Sequence, residues 1–339
     1  MKFSTHILPT YMPEAHGSLA DYYRGMFEQI TEAETLGFDQ AWVTEHHFGA
    51  YGGTLPHPPT FLAAAAQRTT HIRLGVAVAV LPLHRPVDLA ESYAMVDIIS
   101  NGRLDFGIGK GSEPVEYRKF GASRDEANTR FHESAAIVRQ AWSEQPVNFS
   151  GEFFCYEDVN ILPKPVQKPH PPIWVGATRS EETFCWAGAQ GFDLMTVPFV
   201  HPTTRSLHDL VKVYRDELAR AGHDFVRYEV LGKFHIYVSD SFERGMREAS
   251  PFMKDYSAIH AAVDPDRKLT DRDIGSDMAR GFIIVGDPER CVDTIQRWHE
   301  EGGITTFSGT FHFGGMPQEM ALKNIRLFAE RVMPALRAL

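Results

Sequence analysis

"IRLGVAVAVL", residues 72–81, carries one charged side chain, Arg73, in an otherwise apolar run. A strand with one face in water alternates polar and apolar residues. A run without alternation must be covered on both faces, as in a parallel strand packed beneath helices. Working outward, comparable short runs recur along the whole chain: "KFSTHIL" (2–8), "DQAWVTE" (39–45), "RLDFGIG" (103–109), "IWVGA" (173–177), "DLMTV" (193–197), "EVLGKFHIYV" (229–238) and "ITTFSGTFHF" (304–313). Helical patterns separate them. Ser18 and Asp21 read as a capping start, Tyr23, Met26, Phe27, Ile30 and Ala33 fall on one apolar face, and Gly37 sits where a C-terminal cap is wanted. Leu322, Ile325, Phe328 and Val332 repeat at helical intervals near the end. Eight strands alternating with helices predict an α/β fold, a single (β/α)8 TIM barrel spanning 1–339 as one domain. Two insertions interrupt the rhythm. Residues 146–172, before the fifth predicted strand, are rich in proline and aromatics and read as a hairpin with an extended arm. Residues 239–281, after the seventh, are charged and weakly periodic and read as a surface excursion, placed where barrel lids belong.

The 339 residues are 43% hydrophobic and 23% charged, a globular composition. A formal charge of −10 and the lack of any Lys/Arg run work against nucleic-acid or anionic-membrane partners, which need a concentrated basic patch. The first residues lack the apolar core of a signal peptide, and no segment reaches the roughly 18 apolar residues needed to span a bilayer. A soluble, cytoplasmic protein is expected. Cys155, Cys185 and Cys291 are odd in number and widely spaced, which points to reduced packing residues rather than disulfides or a zinc site.

In a parallel barrel the carboxyl ends of the strands converge on one face, where chemistry is built. In "AWVTEHHFGAYGG" (41–53) alternation sends Ala41 and Val43 toward the helices and Trp42, Thr44 and His46 toward the axis. His46 then projects at the mouth, able to move protons or bond an anion, while His47 turns away. "GIGKGS" (107–112) places glycines around Lys110 directly after a strand, a turn whose amides and ammonium suit a phosphate. It matches neither dinucleotide nor P-loop fingerprints. Arg130 and Arg179 lie at helix starts, where an anion would meet amide donors and guanidinium forks. A metal-dependent hydrolase barrel using His6, His46 and His312 is a rival reading, but the HxH pair expected on one strand is missing.

Taken together, "LGFDQAWVTEHHF", "LGVAVAVLPLHRPVDLAES", "SNGRLDFGIGKG", "PIWVGATRSEET" and "FGGMPQEMALKNIRLFAERVMP" resemble, in order and spacing, the flavin-dependent luciferase-like monooxygenase family. The resemblance implies a (β/α)8 barrel, often a homodimer, that binds FMN at its C-terminal face. It implies His46 as the catalytic histidine and a cis peptide at Ala77–Val78 packed on the isoalloxazine. Lys110, Ser112, Arg130, Thr178 and Arg179 fall at positions lining the flavin ring edge and phosphate; no metal is implied. Bacterial luciferase has an arginine in place of Lys110 and a reactive cysteine in place of Gly109. The chain has no dinucleotide fingerprint, so the resemblance implies a two-component scheme. An NAD(P)H:flavin reductase partner delivers FMNH2, O2 is activated as a flavin C4a-peroxide, and a small organic substrate, of carbonyl or aldehyde type, is oxidised. Two other expectations stay open: hydride transfer from a reduced deazaflavin (F420), and a non-catalytic flavin-binding relative.

Overall fold

The computed structural model of the chain describes residues 1–201, 203–263, 274–279, 281 and 283–339. Its strands are β1 (Lys2–Ile7), β2 (Gln40–Val43), β3 (Arg73–Val80), β4 (Leu104–Gly109), β5 (Val147–Ser150), β6 (Cys155–Val159), β7 (Ile173–Gly176), β8 (Asp193–Thr196), β9 (Val230–Val238), β10 (Ile283–Gly286) and β11 (Thr306–Thr310). β11, β1, β2, β3, β4, β7, β8 and β9 pair in that order, and β9 pairs again with β11, so eight parallel strands close on themselves. These are the eight runs read from the sequence. β5 and β6 form a separate antiparallel hairpin.

β10 has no counterpart among the expected strands. β9 is nine residues long, enough to pair with β8 at Val230–Gly232, with β11 at Leu231–His235, and with β10 at His235–Val238. A four-residue strand added outside the ring has too short a pattern to stand out in sequence. Within 239–281, Phe242–Ala262 is a helix whose buried Gly245, Ala249, Met253 and Tyr256 follow a helical period. Its internal Pro251 and its charges mask that period in the sequence. Residues 264–273 and 280, also part of that expected excursion, lie outside the described residues.

Each barrel strand divides its side chains between two cores. Ala41 and Val43 of β2 join Met26, Ile30 and Ala33 of the helix Leu19–Thr35 in the outer core. Ser18 caps that helix by accepting from Asp21 N. Inward, Trp42, Trp174, Met195 and Leu231 fill the lumen, with the Trp42 and Trp174 rings edge-on at 5.3 Å. Gly75 on β3 makes this possible, because a Cβ there would lie 2.2 Å from Trp42 Cε3. Below the indoles, Arg73 grips the buried Asp105 through Nε–Oδ2 at 2.9 Å and Nη2–Oδ1 at 2.7 Å, sealing the N-terminal end. No helix among the described residues is long and apolar enough to cross a membrane.

Gly75→Ala is expected to destabilise the fold by about 2 kcal/mol through overpacking in a rigid lumen. Denaturant unfolding checks this, and adding Trp42→Leu should recover part of the loss.

Candidate active site

A cavity of about 330 Å3 opens above the lumen plug, at the carboxyl ends of the strands. β3 forms one wall with Ala77 and Val78, whose shared peptide bond is cis, at a register shift against β4 between Val76 and Ala79. The Val78 side chain needs the bare backbone of Gly109, since a Cβ there would come 2.4 Å from Val78 Cγ2. The neighbouring β4 and β7 ends add Lys110, Ser112, Thr178 and Ser180, and β2 adds Thr44, Glu45 and His46. Leu8, Val80 and Val197 add apolar surface, and Thr183 a further hydroxyl.

His46 is positioned by Glu116, a buried residue of the short helix Pro114–Phe120. Glu116 Oε1 lies 3.1 Å from His46 Nδ1 and accepts from His47 N at 2.8 Å. A carboxylate only accepts, so the proton of a neutral His46 sits on Nδ1 and its Nε2 is left as an acceptor. The Tyr51 ring stands 5.0 Å from the imidazole and also lines the cavity.

Glu45 is buried among partners. Its Oε1 lies 2.6 Å from His84 Nε2 and 3.2 Å from His47 Nε2, and its Oε2 accepts from Val80 N at 3.2 Å. Burial alone would raise the Glu45 carboxyl, but the hydrogen bonds and charge of His47 and His84 outweigh it and hold the group at about 2. Burial likewise opposes a charged His84, yet Glu45 outweighs it and raises the imidazole above its ordinary value. Glu45 and His84 also line a second cavity of about 210 Å3, so the carboxylate forms part of the wall of both. Among the described residues, Glu45, His47 and His84 are the one group whose ligand atoms, within 4.8 Å of one another, match metal-site spacing. As they stand, they satisfy one another by hydrogen bonds.

β9, across the ring from β3, contributes Lys233 to the same cavity, and β1 and β8 contribute His6 and Thr196. Burial pushes the Lys233 ammonium down to about 8. It pushes His6 well below its ordinary value, helped by the charges of Lys233 and His46.

Of the residues singled out in the sequence, His46, Ala77, Val78, Lys110, Ser112 and Thr178 meet around this one cavity. Lys110 Nζ donates to Asn128 Oδ1 at 3.2 Å, on the helix that carries Arg130. Arg130 and Arg179 lie outside the lining. Arg130 pairs with Glu126 at 2.8 Å and stacks 4.1 Å over Phe153 of the hairpin turn, and Arg179 donates to Val200 O at 3.2 Å. His6 and His46 face the cavity, whereas His312 bonds Gln29 and Met316 O elsewhere, so the three histidines do not form a metal site. Of the cysteines, Cys291 is buried, as packing residues are, but Cys155 is exposed. Sequence reading passed over Lys233, though a lysine in phase with Leu231 and His235 on an apolar strand was a usable signal. Glu116 had none, because its contact depends on a loop helix folding over β2.

The Glu45–His84 pair ties stability to pH. Glu45, depressed from 4.5 to about 2, contributes above pH 4.5 and loses its contribution as pH falls through 2. His84, raised from 6.5, contributes fully below pH 6.5 and loses its contribution as pH rises through its higher folded value. His84→Leu is expected to cost about 3 kcal/mol at pH 6, since it leaves a buried carboxylate short of a partner. The gap in melting temperature between wild type and variant should narrow from pH 6 to pH 9, as a melting series would show.

The chain is similar to the oxygenase component of the flavin-dependent trigonelline monooxygenase of Acinetobacter baylyi, 28% identical over 92% of this chain and 89% of that protein. It is also similar to the F420-dependent glucose-6-phosphate dehydrogenase of Amycolatopsis mediterranei, 26% identical over 93% and 95%. The crystal structure of the monooxygenase RslO1 from Streptomyces bottropensis superposes with a TM-score of 0.92 at 30% identity, covering 99% of this chain and all of that one. The model of the luciferase-like monooxygenase family matches residues 1–306, and the chain belongs to that family of flavin-dependent enzymes.

Proposed function

We propose that this protein is the oxygenase of a two-component system, receiving FMNH2 from an NAD(P)H:flavin reductase and using O2 to oxidise a small organic substrate. The observation that carries this reading is the makeup of the cavity wall. The apolar Ala77–Val78 face adjoins an arc of one ammonium and three hydroxyls from the β4 and β7 ends, Lys110, Ser112, Thr178 and Ser180. That donor set fits a flat apolar ring bearing an anionic tail. Ala77 and Val78 would hold the ring, and Lys110, Ser112 and Thr178 its polar edge and phosphate. Arg130 and Arg179 each use Nε on their present partners, Glu126 and Val200 O, and keep their Nη donors for the phosphate. When bound, reduced flavin supplies the electrons that activate O2. The chain's own part is orientation, exclusion of water by the apolar surface, and proton movement at His46 Nε2, whose tautomer Glu116 sets. Assembly as a homodimer, with all 339 residues in one domain, completes the proposal.

Anaerobic fluorescence titration tests the cofactor, with tighter binding of FMNH2 than of reduced F420 expected. The reverse order would favour the hydride-transfer reading, which the F420-dependent relative supports. Coupled to a reductase and NADH, His46→Ala is expected to lower turnover about 100-fold while leaving FMNH2 affinity unchanged. An unchanged product yield in that variant would remove His46 from the chemistry.

A further inference from the structure

The side of the cavity facing the proposed flavin wall is polar and unsatisfied. In the eight-membered ring β9 stands four strands from β3, so Lys233 lies across the lumen from Ala77 and Val78. Lys233 is 9% exposed, and no carboxylate, carbonyl or hydroxyl of the described residues bonds its ammonium. His6, 5% exposed, leaves both ring nitrogens without partners, and Thr196, 2% exposed, leaves Oγ1 without one. All three line the same cavity. The carboxylate nearest in kind, Glu45, is already engaged by His47, His84 and Val80 N.

A buried ammonium with no counter-charge is costly, and buried donors without acceptors add to that cost. The expense makes sense where a ligand brings the missing partner, since a site built to bond one polar group rejects analogues that lack it. A lysine held at about 8 remains a cation at neutral pH. His6, kept neutral by its surroundings, offers one N–H, and Thr196 one O–H. The apolar surface of the cavity suits a hydrocarbon or aromatic body.

We propose that the organic substrate is a small carboxylic acid whose carboxylate is bound by Lys233 Nζ, across the lumen from the Ala77–Val78 wall, with His6 and Thr196, from β1 and β8 on either side of β9, donating to its oxygens. This rests on the flavin reading above for its place in the reaction, but not for the binding itself.

Calorimetric titration of the purified protein with benzoate and with benzamide, each with and without FMN, separates the two. Benzoate is expected to bind saturably, one per chain, and benzamide at least tenfold more weakly. Lys233→Met should weaken benzoate at least tenfold, and Lys233→Arg should retain most of the affinity. Lys110→Ala should bind benzoate as wild type does, showing that the acid is not borrowing a cofactor phosphate site. The melting temperature of Lys233→Met should equal or exceed that of wild type, because an uncompensated buried charge is removed. The proposal is overturned by equal benzoate affinity in Lys233→Met, by loss in Lys110→Ala instead, by a lowered melting temperature in Lys233→Met, or by no saturable binding with or without FMN. FMNH2 affinity unchanged in Lys233→Met supports it, and a loss there would make Lys233 a cofactor contact. Benzoate binding that follows Lys233 in a protein that does not take FMNH2 would leave the acid site standing and remove the flavin reading.

Discussion

A ring of eight strands can close only if its lumen is filled, and here one contact governs the filling: the Trp42 indole lies against the bare Cα of Gly75. With that ring seated, Trp174, Met195 and Leu231 complete an apolar plug. The plug gives the barrel a floor. Beneath it the Arg73–Asp105 pair closes the N-terminal end, and above it the strand ends frame a cavity instead of a packed core. Ala77 and Val78 touch both regions, packing on the plug below and walling the cavity above.

Above that floor, the protein treats its buried charges in opposite ways. Glu45 is saturated by two imidazoles and a backbone amide, and is held ionised. Other carboxylates follow the same rule and act as tethers. Asp97 accepts from Val166 N, Gln167 N and Gln167 Nε2, pinning the arm that precedes β7, and Glu133 accepts from Glu152, Phe153 and Phe154 N at the hairpin turn. Each replaces water around an anion with fixed donors, which makes burial affordable. Lys233 has no such shell, and neither do the nitrogens of His6. On the cavity wall, unlike at Glu45, a ligand rather than the fold can supply the partner of His6 and Thr196.

Two kinds of information separate cleanly in this chain. Apolar runs without alternation, spaced by helical patterns, determined by themselves the eight strands, their order and the face on which side chains would converge. These signals are local and periodic, so they survive in one dimension. The alternation of β2 also sent Trp42 inward and Ala41 and Val43 outward, as found. Past Val43, where the strand ends, it still placed Thr44 and His46 at the cavity, but it left Glu45 unread. β10 was missed because four residues hold too little pattern, and the helix Phe242–Ala262 because Pro251 interrupts it.

Only the tertiary structure decided which polar residues meet. Glu45 and His84 are 39 residues apart and His46 and Glu116 are 70 apart, while Lys233 reaches the cavity from the far side of the ring. Arg130, placed by sequence beside a phosphate, pairs with Glu126 and stacks on Phe153, outside the cavity lining. Such pairings depend on which strands become neighbours or face one another across the lumen, and on how each loop folds back. Ring closure sets those distances, and no residue spacing along the chain encodes them.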